Sequence, residues 1–337
     1  MSKIIITDTT LRDGSHSVRH QFSLDEASQI VKALDEAKID IIEVGHGDGL
    51  AGSTCNYGFS AVSEIEMIRV AAKTAKHSKV AVLLLPGIGT VSDLIEAKES
   101  GASIVRIATH VTEADISHEH ITEAKKMGFF VVGFLMMAHR AKPERVLEEA
   151  QKMESYGADV VYSTDSAGAL LPDGVRERIT LMKTKLSIPV GFHSHNNLGL
   201  AIGNSLAAIS AGADYVDGSL GGLGAGAGNA ATEMLIAVLE RAGIDQNADL
   251  YKAIDACVKV LHPIVKKHGI QLPEIQDPMM LGFAGVYSSF MLHAKQAAAR
   301  FGVDYRDIIV EAGRREAVGG QEDWLYEIAR EMSDKAR

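Results

Sequence analysis

The 337-residue sequence has only two cysteines, Cys55 and Cys257. They have no metal-motif spacing and give no disulfide framework, which points to a reducing compartment, the cytoplasm. No apolar run approaches the ~18 residues of a membrane-spanning helix. The opening "MSKIIITDTT" lacks the long apolar core and small-residue cleavage site of a secretory leader. Positive charge is also in short supply: 34 Lys and Arg against 44 Asp and Glu give a net charge of −10. Nucleic-acid binding needs a basic surface, so that class is excluded too. Small molecules and other proteins remain as partners.

What is abundant is the short apolar, β-branched run. Eight recur: "KIIITDTT" from Lys3, "IDIIEVGHG" from Ile39, "KVAVLLLPG" from Lys79, "ASIVRIATH" from Ala102, "FFVVGFLMMAH" from Phe129, "DVVYSTDSAG" from Asp159, "IPVGFHSHNN" from Ile188 and "ADYVDGSLGG" from Ala213. Continuous rather than alternating apolarity suits parallel strands buried on both faces. Amphipathic stretches such as 23–38 and 142–157 lie between them, and Gly101, Gly128, Gly157 and Gly212 close several just before the next strand. A doubly wound open sheet shares this local pattern. Eight evenly spaced units over roughly 240 residues favour a (β/α)8 TIM barrel. From Asn247 onward the pattern is helical, over 248–268, 278–301 and 318–335 with a shorter piece near 304–313. The reading is therefore a catalytic barrel over 1–245 and an all-α extension over 246–337.

Reacting groups in such barrels sit at the C-terminal ends of strands, and this sequence crowds its polar residues there. Run 1 leads to Arg12, Asp13 and His16; run 2 ends at Glu43, His46 and Asp48; run 7 ends in His193-Ser-His195. A strand's side-chain period of two puts His193 and His195 on one face. With Asp13 close by around a closed ring, two imidazoles and a carboxylate suit a divalent ion with positions left open. Mn2+, Mg2+, Co2+ and Zn2+ all match such a donor set. The glycine-rich 221–233 has neither the dinucleotide spacing nor a phosphate-loop lysine; it suits a loop that cradles an anion or passes close to a metal. Asn229 is read first as the cap of the last barrel helix, with a place beside the metal as the alternative. Asn196 and Asn197 either cap the next helix or orient the imidazoles. Leu83 and Leu85 read as barrel filling or as an apolar wall for substrate. Position alone puts Tyr287, in an apolar helical segment that also holds His293, in the core.

The motifs "TDTTLRDGSH", "IEVGHGDGL", "NYGF", "LLLPGIGT", "ATHVTEAD", "GFLMMAH", "DSAGA", "HSHNNLGL", "GAGAGN", "GVYSSF" and "VGGQED" together resemble the 4-hydroxy-2-oxovalerate aldolases, class II pyruvate aldolases, over nearly the whole chain. The resemblance implies a metal, usually Mn2+ with Mg2+ or Co2+ as substitutes, held by Asp13, His193 and His195. It implies a 2-oxo acid chelating that metal, Arg12 steadying the enolate oxygen, and Ser166 at the substrate carboxylate. His16 would act as general base on the 4-hydroxyl, with Tyr287 reaching it too and Leu83 and Leu85 on the aldehyde side. It also implies an oligomer working with an acylating aldehyde dehydrogenase that receives the aldehyde through a channel. Ser194, the approach "YSTDSAG" and the segment 268–282 depart from the family pattern. The alternatives are a Claisen-type acyl-CoA lyase or synthase and a noncatalytic 2-oxo-acid-binding subunit.

Overall fold

Each of the eight apolar runs forms a parallel strand, and the eight strands close on themselves. They are β1 (Ile5–Leu11), β2 (Ile41–Val44), β3 (Lys79–Leu84), β4 (Ile104–His110), β5 (Phe130–Met136), β6 (Val160–Asp165), β7 (Val190–Ser194) and β8 (Tyr215–Gly218). The structure is a computed structural model that describes residues 3–335. Strand order is sequence order, and the ring shuts where β1 pairs with β8 in the register Ile5–Tyr215, Ile6–Val216, Thr7–Asp217, Asp8–Gly218. A closed ring has no edge strands, and it brings Thr10 to Leu220, whose N–H donates to the Thr10 hydroxyl (2.8 Å). The open-sheet alternative is thereby excluded.

Local chemistry fixes the outer layer of helices: α1 (Leu24–Glu36), α2 (Glu64–Thr74), α3 (Val91–Glu99), α4 (His118–Lys126), α5 (Pro143–Tyr156), α6 (Pro172–Lys185), α7 (Ala201–Ser210) and α8 (Thr232–Arg241). At α1, Ser23 and Glu26 exchange hydrogen bonds in a capping box, and Ala27, Ile30, Val31 and Leu34 form the buried stripe. Inside the ring Ile41, Ala81, Leu83, Ile104, Ala108, Val132, Phe134, Val160 and Tyr162 pack as one apolar cluster. That cluster leaves the C-terminal mouth to polar groups.

The chain divides into two compact units, residues 1–272 and 273–337. The helical stretch Leu250–Lys267, which widens to a π-helix over Ala256–Leu261 just before Pro263, belongs to the first. The second unit holds helices Gln276–Ala284, Phe290–Phe301, Tyr305–Arg314 and Trp324–Lys335, packed around Phe290, Ala294, Ile308, Ile309, Leu325 and Ile328. The single helix expected over 278–301 is two helices. Gly285 takes a left-handed conformation (φ 74°) that ends the first, and a new helix starts at Phe290. Among the described residues no helix is long and apolar enough to cross a membrane, and the cysteines form no disulfide.

On β1, Asp8 is fully buried; its Oδ1 accepts from the Thr10 N–H (2.9 Å) and its Oδ2 from the Thr232 hydroxyl (2.6 Å). Burial outweighs these donors and pushes the carboxyl up to about 6. The folded chain thus keeps a proton that the unfolded chain releases near pH ~4. Stability from this group is fullest below that pH and falls as pH rises toward about 6. Asp8→Asn preserves the acceptor for Thr10. It is expected to raise the melting temperature at about pH 7.5, by an amount equivalent to roughly 2–3 kcal/mol, and to flatten the decline between about pH 4 and 6. A thermal-melt series in pH checks this; an unchanged or lower melting temperature at neutral pH contradicts it.

Candidate active site

The loops after β1, β7 and β8 bring the expected metal-binding residues together. His193 on β7 and His195 one residue past its end lie on one side of the chain, ring centres 5.0 Å apart, as the two-residue period requires. Asp13 opens a short 3-10 turn (Asp13–His16) after β1. Its Oδ1 accepts from Arg12 Nη1 (2.9 Å), and its Oδ2 accepts from Asn229 Nδ2 (2.7 Å) and the Ala225 N–H (3.2 Å). Burial disfavours the charged carboxylate, but the Arg12 guanidinium and the imidazoles of His195 and His193, with the Asn229 amide, hold Asp13 well below the ordinary carboxylate range.

The donor chemistry fits a divalent cation. Burial, then the neighbouring His193, lowers His195 to about 4, so it is neutral at physiological pH. Its Nδ1 faces the Ala225 carbonyl at 3.4 Å, which leaves Nε2 as the free nitrogen. His193 Nδ1 lies 2.8 Å from Asp217 Oδ2; a carboxylate on Nδ1 fixes the tautomer and frees Nε2 as a ligand. Asn229 adds a buried Oδ1 with no hydrogen-bond partner. Asp13, His193 and His195 nevertheless do not form a group whose donor atoms all lie within 4.8 Å of one another. Among the described residues that spacing is met by His16, His20 and Asp48. The Asp13 carboxylate is turned onto Arg12, Asn229 and Ala225 instead.

Asn229 corrects one expectation. It does not cap α8, which is preceded by Ala231; it pairs through a β-bridge with His195 and donates to Asp13. The glycine-rich loop explains how it gets there. A Cβ on Gly224 would lie 2.6 Å from Asp13 Oδ2 and 2.3 Å from Asn229 Nδ2, so only glycine lets the chain pass. Asn196 is a capping residue, its Oδ1 accepting from the Ala201 N–H at the start of α7 (3.2 Å).

Three further charged side chains complete the site. Glu43 Oε2 on β2 accepts from Arg12 Nε (2.8 Å) and from Arg106 Nη1 on β4 (3.0 Å). Arg106 donates through Nη2 to Asp217 Oδ2 on β8, the same oxygen that meets His193. Its guanidinium stacks over Phe134 and Tyr162, 4.2 and 4.7 Å from their ring centres. All of these charges are buried. The run Asp13–Arg12–Glu43–Arg106–Asp217–His193 is thus unbroken from one proposed ligand to another. Its three carboxylates outnumber its two guanidiniums, so the mouth keeps one formal negative charge.

The other expected residues distribute as follows. Arg12 leaves its Nη2 without a partner among the described residues. His16 is half-buried and makes no hydrogen bond among them; its ring lies edge-on to His20 at 5.0 Å. Ser166 follows β6, and its Oγ accepts from the Met137 N–H (3.0 Å). Leu83 belongs to the apolar cluster inside the barrel and Leu85 packs against it. Tyr287 is not a core residue: it is 60% exposed in the turn between two helices of the second unit, 6.4 Å ring to ring from Phe290.

Asp217→Asn weakens the carboxylate that orients His193 and leaves Arg106 with half its counter-charge. The expected outcome is a 10–100-fold weaker Mn2+ affinity, roughly, with a loss of stability of about 3–5 kcal/mol. Metal titration against a competing chelator, beside a denaturant melt, reads both. Wild-type affinity in a folded variant contradicts the assignment.

Residues 3–260 match the HMGL-like family model, and residues 275–334 match the DmpG-like communication domain. The chain is 58% identical to a 4-hydroxy-2-oxovalerate aldolase of Thermomicrobium roseum, covering 98% of this chain and 92% of that protein. It is 56% identical to one of Pelotomaculum thermopropionicum, covering 98% and 96%. Among solved structures, the N-terminal domain of a putative aldolase from Bacteroides vulgatus superposes with a TM-score of 0.69 at 26% identity, covering 84% of this chain and 93% of that one. An HMG-CoA lyase of Bacillus subtilis shares the fold, with a TM-score of 0.68 at 21% identity over 81% of this chain and 96% of that one. A barrel mouth built from an aspartate, two histidines and a paired arginine, joined to this degree of identity along the whole chain, makes it a member of the 4-hydroxy-2-oxovalerate aldolase family, a group of divalent-metal-dependent carbon–carbon lyases.

Proposed function

We propose that this chain cleaves 4-hydroxy-2-oxo acids of the 4-hydroxy-2-oxopentanoate type to pyruvate and a short aldehyde such as acetaldehyde. The observation that carries the proposal is the convergence of Asp13, His193, His195 and Arg12 on one mouth, with Arg12 clamped so that one of its nitrogens stays free. Breaking the C3–C4 bond needs a base for the 4-hydroxyl proton and a positive site for the charge that collects on the pyruvate fragment. A divalent cation, Mn2+ first with Mg2+ or Co2+ as substitutes, held by Asp13, His193 and His195, supplies Lewis acidity toward the 2-oxo group. Arg12 aims its unpaired Nη2 at the same developing charge, held by Glu43 and Asp13 so that it need not reorganise during reaction. His16, whose ring carries no competing hydrogen bond, takes the hydroxyl proton. Ser166 binds the substrate carboxylate, and Leu83 and Leu85 bound the aldehyde side. Tyr287 acting on the 4-hydroxyl is supported by the family resemblance alone. No lysine is needed as an electron sink.

The match of residues 275–334 to a communication domain supports a second part of the proposal. The chain works with an acylating aldehyde dehydrogenase, which receives the aldehyde directly. The Claisen-type and noncatalytic alternatives are not favoured, because relatives at 53–58% identity over nearly the whole chain bear the aldolase name.

Chelator-treated enzyme is expected to stop releasing pyruvate and to recover when Mn2+ is returned; turnover without metal contradicts the mechanism. His16→Ala is expected to lose cleavage by about 100-fold or more while still exchanging pyruvate methyl protons with deuterated water. Loss of both reactions contradicts its role as the hydroxyl base.

A further inference from the structure

The loops after β1 and β2 bring a second set of ligands together. His16 and His20 come from the first loop and Asp48 from the second, and their donor atoms all lie within 4.8 Å of one another. Gly47 is the floor between them. A Cβ built there would fall 2.4 Å from His16 Nε2, so a side chain would fill the space that the donors share. The Gly47 N–H donates to His20 Nδ1 at 3.4 Å, a long hydrogen bond that marks Nδ1 as the unprotonated nitrogen and that an entering cation would replace.

Everything around the set holds it in ligand form. The edge of the His20 ring packs against Gly58, its Cδ2 lying 3.3 Å from where a Cβ would stand. His46 stacks flat on His20, ring centres 3.7 Å apart and planes 24° apart. Its own nitrogens are occupied: Nε2 faces the Gly58 carbonyl at 3.0 Å, and Nδ1 accepts the Asp48 N–H at 3.0 Å. His46 is therefore a splint, aligning the ring of His20 and the backbone of Asp48. The Asp48 carboxylate has no hydrogen-bond donor among the described residues and is about a quarter exposed, which gives a cation a way in.

We propose that His16, His20 and Asp48 form a second divalent-cation site, of a donor set that takes Zn2+, whose occupation switches the enzyme off. Two imidazoles and one carboxylate, with a position left for water, match tetrahedral zinc. Binding stands on this geometry alone. The inhibition rests on the aldolase reading, because the cation would occupy the lone pair that His16 needs to accept the hydroxyl proton.

The test uses full-length enzyme loaded with Mn2+ and dialysed against low-micromolar ZnCl2 without substrate, followed by elemental analysis and a pyruvate-release assay. One Zn2+ per chain is expected in addition to the retained Mn2+, with activity reduced about 100-fold or more. Asp48→Asn and His20→Gln, each checked for a native melting curve, are expected to bind Zn2+ at least about tenfold more weakly. Asp48→Asn should also keep its activity in zinc. Zn2+ uptake matched by equal loss of Mn2+, or unchanged zinc binding in both variants, overturns the site. Extra zinc with undiminished pyruvate release overturns the inhibitory role. Inactivity before zinc is added counts against the aldolase reading alone, since uptake is read independently.

Discussion

A buried relay of opposite charges holds this barrel mouth in shape. Arg106 sits where a parallel strand would ordinarily carry an aliphatic side chain, almost wholly buried. Moving an ion into such a place costs several kcal/mol unless partners meet it with good geometry. Glu43 and Asp217 supply those partners, and the rings of Phe134 and Tyr162 cover its faces. Each carboxylate joins Arg106 to the next member through a single oxygen, Glu43 Oε2 to Arg12 and Asp217 Oδ2 to His193. Burial drives Arg106 down, but Asp217 and Glu43 more than reverse this and keep it charged. No member can turn without leaving a neighbour unpaired.

That rigidity matters for chemistry because the charge that develops during carbon–carbon cleavage must be met at once, by groups that do not have to move. The relay ends in Asp13 and His193, and a mouth with one surplus negative charge suits a cation while keeping an arginine nitrogen available beside it. The histidine cluster over Gly47 belongs to the opposite regime. It is built of imidazole rings, those of His20 and His46 buried, and held by stacking and backbone hydrogen bonds. The two regions meet at Gly47, whose carbonyl faces Arg12 Nη1 at 3.5 Å.

Much of this was legible in the residue order. The count of apolar runs gives the barrel, and the strand period gives the pairing of His193 with His195. The ring closure that both imply brings Asp13 beside them. Arg106 and Asp217 were harder to read. Each is a single charge inside an apolar run, and its inward direction and partner depend on registers that exist only once the ring shuts. The usable signal was the cost itself, since a lone charge in a strand buried on both faces demands a counter-charge from a neighbouring strand. Asn229 reads first as a cap because an asparagine before a helix ordinarily is one; the glycines that carry the loop past Asp13 bring it to the alternative place, beside Asp13. Tyr287 reads as core from position, but the break at Gly285 turns an apparent helix interior into an exposed corner.

The most direct test of the central claim is a crystal structure of the enzyme with Mn2+ and pyruvate, with the metal located by its anomalous scattering. The account predicts one Mn2+ bound to Asp13, His193 and His195, with pyruvate oxygens on the metal and on Arg12 and the Glu43–Arg106–Asp217 contacts intact. A manganese ion seated away from those three side chains, or pyruvate bound without contact to Arg12, would contradict it.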